Sequence, residues 1–168
     1  MKRKWTFRKK LHIIWVIFGV SFTVWLFYSY QSKGVDKAVF ESNSSVEVIE
    51  NKDLYSFTPT SIYQKVVIFY PGALVDPKAY IPLCRKISDK GYKVLLIKMP
   101  WRLAINGYNK PKELYLFADT TKQYILAGHS QGAKMAGQFV YENPALINKL
   151  ILIATTHPRD IDLSKAKI

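Results

Sequence analysis

The sequence has 168 residues, of which 49% are apolar, with 25 lysines and arginines against 12 acidic residues. This suffices for one domain with a packed core. The single cysteine, Cys84, excludes an intrachain disulfide and a zinc-type cysteine cluster, and we interpret it as a small core residue. The net charge of +13 does not indicate nucleic-acid binding, because six cations lie in the first ten residues and no nucleic-acid-binding motif accompanies them.

The first predicted element is a membrane-spanning helix over residues 11–30. This stretch, LHIIWVIFGVSFTVWLFYSY, contains no Asp, Glu, Lys or Arg, and about 20 apolar residues are enough to cross the hydrocarbon layer of a bilayer. Trp25, Tyr28 and Tyr30 near its end are residue types that favour the membrane interface. Because cations that precede such a helix stay in the cytoplasm, we expect a single-pass protein of the cell membrane. Residues 1–10 would be cytoplasmic, and everything after Tyr30 would lie outside.

Two other interpretations of this stretch are a cleaved signal peptide and a buried core helix. A cleaved signal peptide has a shorter apolar region of about 7–15 residues and a small-x-small cleavage site, for which residues 32–34 are a poor match. A buried core helix does not fit the cationic flank or the lack of a polar face. The sequence favours an uncleaved membrane anchor, and a cleaved signal peptide is the remaining alternative. Residues 31–45, which are polar and small, predict a linker to the folded part.

The remaining residues, 46–168, alternate between strand and helix patterns. Short runs rich in β-branched and aromatic residues predict strands in VEVI, LYSFTP, residues 65–70, residues 93–99, KQYILAGH and residues 148–156. Helices are predicted in DPKAYIPLCRKISDKG, where Asp76 is a candidate cap, in NKPKELYLFAD and in SQGAKMAGQFVYEN. This alternation is typical of an α/β fold, a mostly parallel sheet with helices on both faces.

The motif that carries chemistry is G-x-S-x-G, in Gly128, His129, Ser130, Gln131 and Gly132. A serine between a predicted strand and a predicted helix occupies a tight turn, and its neighbours must lack bulk so that strand and helix can approach. The hydroxyl then lies at a helix N-terminus, where peptide dipoles favour developing negative charge. Ser130 is therefore the candidate nucleophile. The alternative is a glycine-bounded turn whose serine has no catalytic role.

A second stretch, FYPGALVDP, follows the predicted strand 65–70. Where a serine turn follows a later strand, a loop in this position supplies one backbone N–H of an oxyanion hole, and the residue after the nucleophile supplies the other. The candidates are Ala73, with Leu74 as the neighbouring option, and the amide of Gln131. Taken alone, Pro-Gly-Ala is also consistent with an ordinary turn.

Together these stretches resemble the alpha/beta-hydrolase superfamily and, within it, the bacterial group called alpha/beta hydrolase family 5. The matching pieces are YPGALVDPKAY, KGYKVLLIKMPWRLAINGY, ILAGHSQGAKMA and LILIATTHP, which cover roughly residues 66–158. The resemblance implies a serine hydrolase fold that acts on esters or other acyl bonds. It implies Ser130 as the nucleophile, with Gln131 and the region of Ala73 as oxyanion donors.

The sequence departs from the family pattern after the last predicted strand. A serine needs a base, usually His, and an orienting carboxylate, and the family places Asp or Glu and then His on later loops. Here those loops and the last strands are missing from the sequence, so the domain at 46–168 is expected to be partial. His157 as base and Asp160 as acid are the remaining candidates, because His129 should point away from Ser130. A truncated product, half of a split protein and a piece of a longer chain all fit.

Two functions follow from these observations. The first is a membrane-anchored serine hydrolase that faces outside the cytoplasm and acts on a small acyl or ester substrate, and we expect it to be incomplete in catalytic groups within this sequence. The second is a non-catalytic, membrane-tethered binding protein on the same fold. Without the closing strands, one edge of the sheet would be exposed, which invites aggregation or pairing with a partner chain that completes the sheet. No metal, organic cofactor or nucleic acid is implied.

Overall fold

The computed structural model describes residues 5–155, 161–164 and 166. The chain divides into two compact units, Met1–Gln31 and Ser32–Ile168. The first unit contains helix α1, Phe7–Ser29, whose 23 residues give a length of about 35 Å. By length and composition it is the one helix in the described residues that is able to cross a membrane. It begins four residues before the predicted apolar run, because the helical backbone continues into the cationic flank.

The second unit is built on a six-stranded sheet. The strands are β1 Val46–Glu50, β2 Leu54–Pro59, β3 Lys65–Tyr70, β4 Lys93–Ile97, β5 Gln123–His129 and β6 Lys149–Ile153. They lie in the order β1-β2-β4-β3-β5-β6. The pairs β4–β3, β3–β5 and β5–β6 are parallel, as the alternating pattern predicts.

The exception is β2, which runs antiparallel to both β1 and β4. Only residues 51–53 connect β1 to β2, and so short a connection permits an antiparallel pair alone. The Asn51 side-chain oxygen accepts hydrogen bonds from the amides of Asp53 and Leu54, each at 2.8 Å. This asparagine turn closes the hairpin.

The helices of the second unit are shorter than the sequence pattern predicts. They are α2 Ile81–Ser88, α3 Lys110–Glu113 and α4 Gln131–Glu142. The stretch predicted as one helix from Asp76 begins with a separate 3-10 turn, Pro77–Tyr80, which Asp76 caps by accepting the Lys78 N–H at 3.1 Å. The helix predicted in NKPKELYLFAD is only the single turn α3, because Tyr115 has a φ of 52°, outside the helical region.

Two apolar cores lie on the two faces of the sheet. Along β3, Val66, Ile68 and Tyr70 face the core that contains α4, whereas Val67 and Phe69 face the core that contains α2. This alternation follows from the period of a strand. Cys84 of α2 is fully buried, as predicted, and burial raises the pKa of its thiol to about 12.

The predicted linker packs against the second unit. A 3-10 turn, Lys37–Phe40, lies within it, and Val39 and Phe40 contact the core on the α2 side. The carbonyl oxygen of Glu41 accepts a hydrogen bond from the guanidinium of Arg85 at 2.7 Å. The apolar side chains of Val39 and Phe40 therefore bury part of their surface against the core of the second unit.

Candidate active site

The parallel strands bring three loops to one edge of the sheet. Tyr70 at the end of β3 pairs with Gly128, and His129 at the end of β5 pairs with Ile153 of β6. Because the carboxyl ends of parallel strands share an edge, the loop after β3 lies beside Ser130. The loop after β4 also leaves from this edge.

Ser130 itself occupies a backbone conformation that residues with side chains rarely adopt. It separates β5 from α4 with φ 52° and ψ −119°, the values of a turn position that favours glycine. Its amide donates to the carbonyl of Ile153 at 2.9 Å, and its carbonyl accepts from the amide of Lys134 at 3.1 Å. The hydroxyl does not cap α4, and the residue is exposed. The turn therefore holds an accessible hydroxyl at a helix N-terminus.

The glycines on either side of Ser130 have no room for a side chain. A Cβ on Gly128 would lie 2.5 Å from backbone atoms of Gly132. A Cβ on Gly132 would lie 2.3 Å from the carbonyl oxygens of both Tyr70 and Pro71. The strand, the helix and the loop after β3 thus meet at backbone distance, which is the spatial reason for the G-x-S-x-G spacing.

Hydrogen bonds in the loop after β3 occupy most of its amides. The Gly72 N–H donates to the hydroxyl oxygen of Tyr80 at 3.0 Å, and the Leu74 N–H donates to the carbonyl of Arg102 at 2.8 Å. The Val75 N–H donates to the Gly72 carbonyl at 3.3 Å. Within the described part of the chain, the Ala73 N–H donates no hydrogen bond. Of the two predicted candidates in this loop, Ala73 therefore keeps its amide available and Leu74 does not.

The second predicted oxyanion donor lies at the first position of α4. The amide of Gln131 donates to none of the residues that the structure describes, as expected for a first-turn amide. Its side-chain oxygen accepts the Ala104 N–H at 2.9 Å, which ties the start of α4 to the loop after β4. The amide of Gln131 and the positive end of the α4 dipole thus lie beside Ser130.

The ring of His129 packs against Tyr80. Its Nδ1 atom lies 2.9 Å from the Tyr80 hydroxyl oxygen, and the ring centroids are 5.9 Å apart. Burial raises the pKa of the Tyr80 phenol, against the opposing effect of the Gly72 N–H. The sequence pattern predicts a helix over this stretch and does not reveal this contact, which joins residues 49 positions apart.

A buried carboxylate supports the same loop. Asp76 is 7% exposed and accepts hydrogen bonds from the backbone amide and the hydroxyl of Ser32, at 3.1 and 3.2 Å. The Arg102 guanidinium lies 3.7 Å from it. Burial on its own would raise the pKa of Asp76, but the amides of Ser32 and Lys78 and the charge of Arg102 outweigh burial and lower it. Sequence reasoning found the capping role of Asp76 and missed the contacts with Ser32 and Arg102.

The candidate base and acid, His157 and Asp160, lie outside the described residues. Among the residues that are described, no group of three or more His, Cys, Asp and Glu side chains could hold a metal ion. The described site is therefore a serine on a strained turn with two available amides beside it, which is an arrangement suited to attack on an acyl carbon.

Comparison with known proteins decides the family. Residues 66–168 match the model of the alpha/beta hydrolase family. The chain belongs to this family. A search of curated proteins finds no match.

Solved structures with the same fold include several esterases. A highly thermostable carboxyl esterase from Bacillus coagulans aligns with a TM-score of 0.52 and 16% identity over 66% of this chain and 44% of its own. A bacterial heroin esterase aligns with a TM-score of 0.55 and 14% identity over 70% of this chain and 47% of its own. MenH from S. aureus aligns with a TM-score of 0.51 and 21% identity over 61% and 42%. This alpha/beta hydrolase chain thus spans less than half the length of these three structures.

Proposed function

We propose that this alpha/beta hydrolase chain carries the nucleophile and the oxyanion hole of a serine esterase. The observation that supports this function most directly is the backbone of Ser130, with φ 52° at the N-terminus of α4. A conformation of this kind costs roughly 1–3 kcal/mol and persists where the surrounding structure enforces it, often at functional sites. The adjacent amides of Ala73 and Gln131, which donate to no described residue, add the second element of the site.

In the proposed reaction, the Ser130 oxygen attacks the carbonyl carbon of a small ester or other acyl substrate. The carbonyl π electrons move to its oxygen, which becomes an oxyanion and accepts hydrogen bonds from the Ala73 and Gln131 amides. Collapse of this intermediate expels the alcohol and leaves an acyl-serine, which water then hydrolyses. A base takes the serine proton and returns it to the leaving alcohol. We propose His157 as this base and Asp160 as the carboxylate that orients it.

Covalent labelling of Ser130 tests the proposed function. The full chain, in a mild detergent, is treated with a fluorophosphonate reporter, which forms a phosphonyl ester with an activated serine. We expect labelling of the folded chain and its loss in the Ser130→Ala variant and after heat denaturation. Equal labelling of the Ser130→Ala variant, or none of the folded wild-type chain, would refute the assignment of Ser130 as nucleophile.

A second candidate function, binding without catalysis, is favoured by the edge of the sheet. In the described residues β6 pairs only with β5, and Ile151, Leu152 and Ile153 are 39%, 37% and 38% exposed. Apolar side chains on an open strand favour pairing with another strand, so a partner chain could complete the sheet here. A folded chain that resists fluorophosphonate labelling but forms a defined complex through β6 would favour this function.

We also propose that α1 anchors the domain in the cell membrane, with its N-terminus in the cytoplasm. The supports are the mean hydropathy of 1.9 over an 18-residue stretch of the helix and the cations that precede this apolar stretch. Protease treatment of intact cells and of inverted membrane vesicles tests the orientation. Digestion of the hydrolase domain only in inverted vesicles would contradict it, and a mature chain that lacks α1 would indicate a cleaved signal peptide.

A further inference from the structure

The Tyr80 hydroxyl contacts both segments of the candidate site, the loop after β3 and the end of β5. The Tyr80 oxygen accepts the Gly72 N–H at 3.0 Å and lies 2.9 Å from Nδ1 of His129. Gly72 directly precedes Ala73, the available amide of the loop, and His129 directly precedes Ser130. Tyr80 belongs to neither element, because it closes the 3-10 turn Pro77–Tyr80 before α2.

We propose that Tyr80 is a positioning residue that sets the distance between the oxyanion-hole amide and the nucleophile. This inference rests on the proposed function. The Gly72 N–H donates to the Tyr80 oxygen, and in the His129 tautomer that carries its proton on Nε2, Nδ1 accepts the Tyr80 hydroxyl proton. The resulting chain of hydrogen bonds runs in one direction, from the Gly72 amide through Tyr80 to His129, and such chains strengthen one another in a partly buried site.

Packing restricts each member of this chain. The Tyr80 ring is half-buried, with its centroid 5.1 Å from that of Phe69 in β3. A Cβ on Gly72 would lie 2.9 Å from Nδ1 of His129 and 3.1 Å from the Tyr80 oxygen. The loop amide, the hydroxyl and the imidazole therefore touch with no spare space. A displacement of Gly72 moves the Ala73 amide with it, because the two residues share a peptide bond.

The Tyr80→Phe variant of the full chain tests this role, since it removes the hydroxyl and keeps the ring packing. With a fluorophosphonate of increasing concentration, we expect the maximal labelling rate of Ser130 to fall about 10-fold, with little change in the concentration for half-maximal rate. Tyr115, which is 83% exposed, provides the matched control, and Tyr115→Phe should label like the wild-type chain. Gly72→Ala, which pushes the same contacts apart, should lower the maximal rate as well.

A structural readout accompanies the rates. The chain has three histidines, so the 15N shift of the His129 Nδ1 atom can be assigned by comparison with a His129→Gln variant. We expect this shift to move in Tyr80→Phe, and the Gly72 amide to exchange its proton faster. Wild-type labelling with an unchanged maximal rate in Tyr80→Phe would overturn the inference and leave the proposed function standing. An unlabelled wild-type chain would overturn the proposed function and this inference with it.

Discussion

The strained turn at Ser130 predicts an unusual order of stability for two variants at this position. At most helical positions glycine is less stable than alanine, by about 1 kcal/mol. At Ser130, with φ 52° and ψ −119°, we expect the reverse, so that Ser130→Gly is more stable than Ser130→Ala. Neither variant has a hydroxyl, and the wild-type hydroxyl makes no capping hydrogen bond. The comparison therefore isolates the backbone.

The magnitude follows from two opposing terms. A residue with a Cβ pays roughly 1–3 kcal/mol for a sparsely populated conformation of this kind, and glycine escapes most of this strain. Glycine loses more conformational entropy on folding, which costs about 0.5–1 kcal/mol. The difference leaves Ser130→Gly more stable than Ser130→Ala by about 1 kcal/mol.

Lys134 provides the matched control in the same helix, because it is an exposed position of α4. There Lys134→Gly should be less stable than Lys134→Ala by about 1 kcal/mol. The difference in free energy of unfolding between the glycine and alanine variants should therefore change by about 2 kcal/mol between the two sites. The assay is guanidinium unfolding of the full chain in mild detergent, followed by far-UV circular dichroism. If Ser130→Ala proves as stable as Ser130→Gly, while the Lys134 pair behaves normally, the strained conformation is refuted.

Two further predictions concern the packing around the turn and the pH dependence of stability. Gly132→Ala should destabilise the fold by about 1 kcal/mol or more, since overpacking against backbone costs about 1–3 kcal/mol or more and the better helix propensity of alanine offsets about 1 kcal/mol of this. In the same unfolding assay Gly19→Ala should cause no loss, because a Cβ on Gly19 meets nothing within 4 Å outside its own helix. Asp76→Asn should cost about 1–2 kcal/mol at pH 7. Because the folded-state pKa of Asp76 is lowered, its ionised form stabilises the fold above the unfolded pKa of about 3.9, and this contribution disappears as the pH falls through the folded pKa. Unfolding midpoints between pH 7 and pH 3 should therefore converge for wild type and Asp76→Asn, and a gap that stays constant would contradict the assignment.

The helices show that sequence patterns overestimate helix length. The pattern of α2 correctly places Cys84 in the core, but it does not reveal that the first turn is a separate 3-10 turn. The stretch that contains α3 has acceptable helix formers, yet the structure ends the helix at Glu113. Propensity decides little over so few residues, because most helix stability comes from tertiary packing.

At the candidate site, too, the sequence predicts some features and misses others. The spacing of Gly128, Ser130 and Gly132 predicts the strand–turn–helix that the structure contains, because the steric demand is between near neighbours. The same spacing does not distinguish Ala73 from Leu74 as an amide donor. That distinction depends on the carbonyl of Arg102, which accepts the Leu74 N–H from a loop after another strand.

The sequence by itself therefore determined the apolar N-terminal helix, the α/β alternation, the family and the serine turn, since each depends on composition or on residues a few positions apart. Only the tertiary structure decided the placement of β2 antiparallel beside β4, the burial of Asp76 against Ser32 and the contact of Tyr80 with His129. Those last two contacts join residues 44 and 49 positions apart. Contacts over such separations form only once the chain has folded around the sheet, and no local pattern in the sequence encodes which side chains meet there.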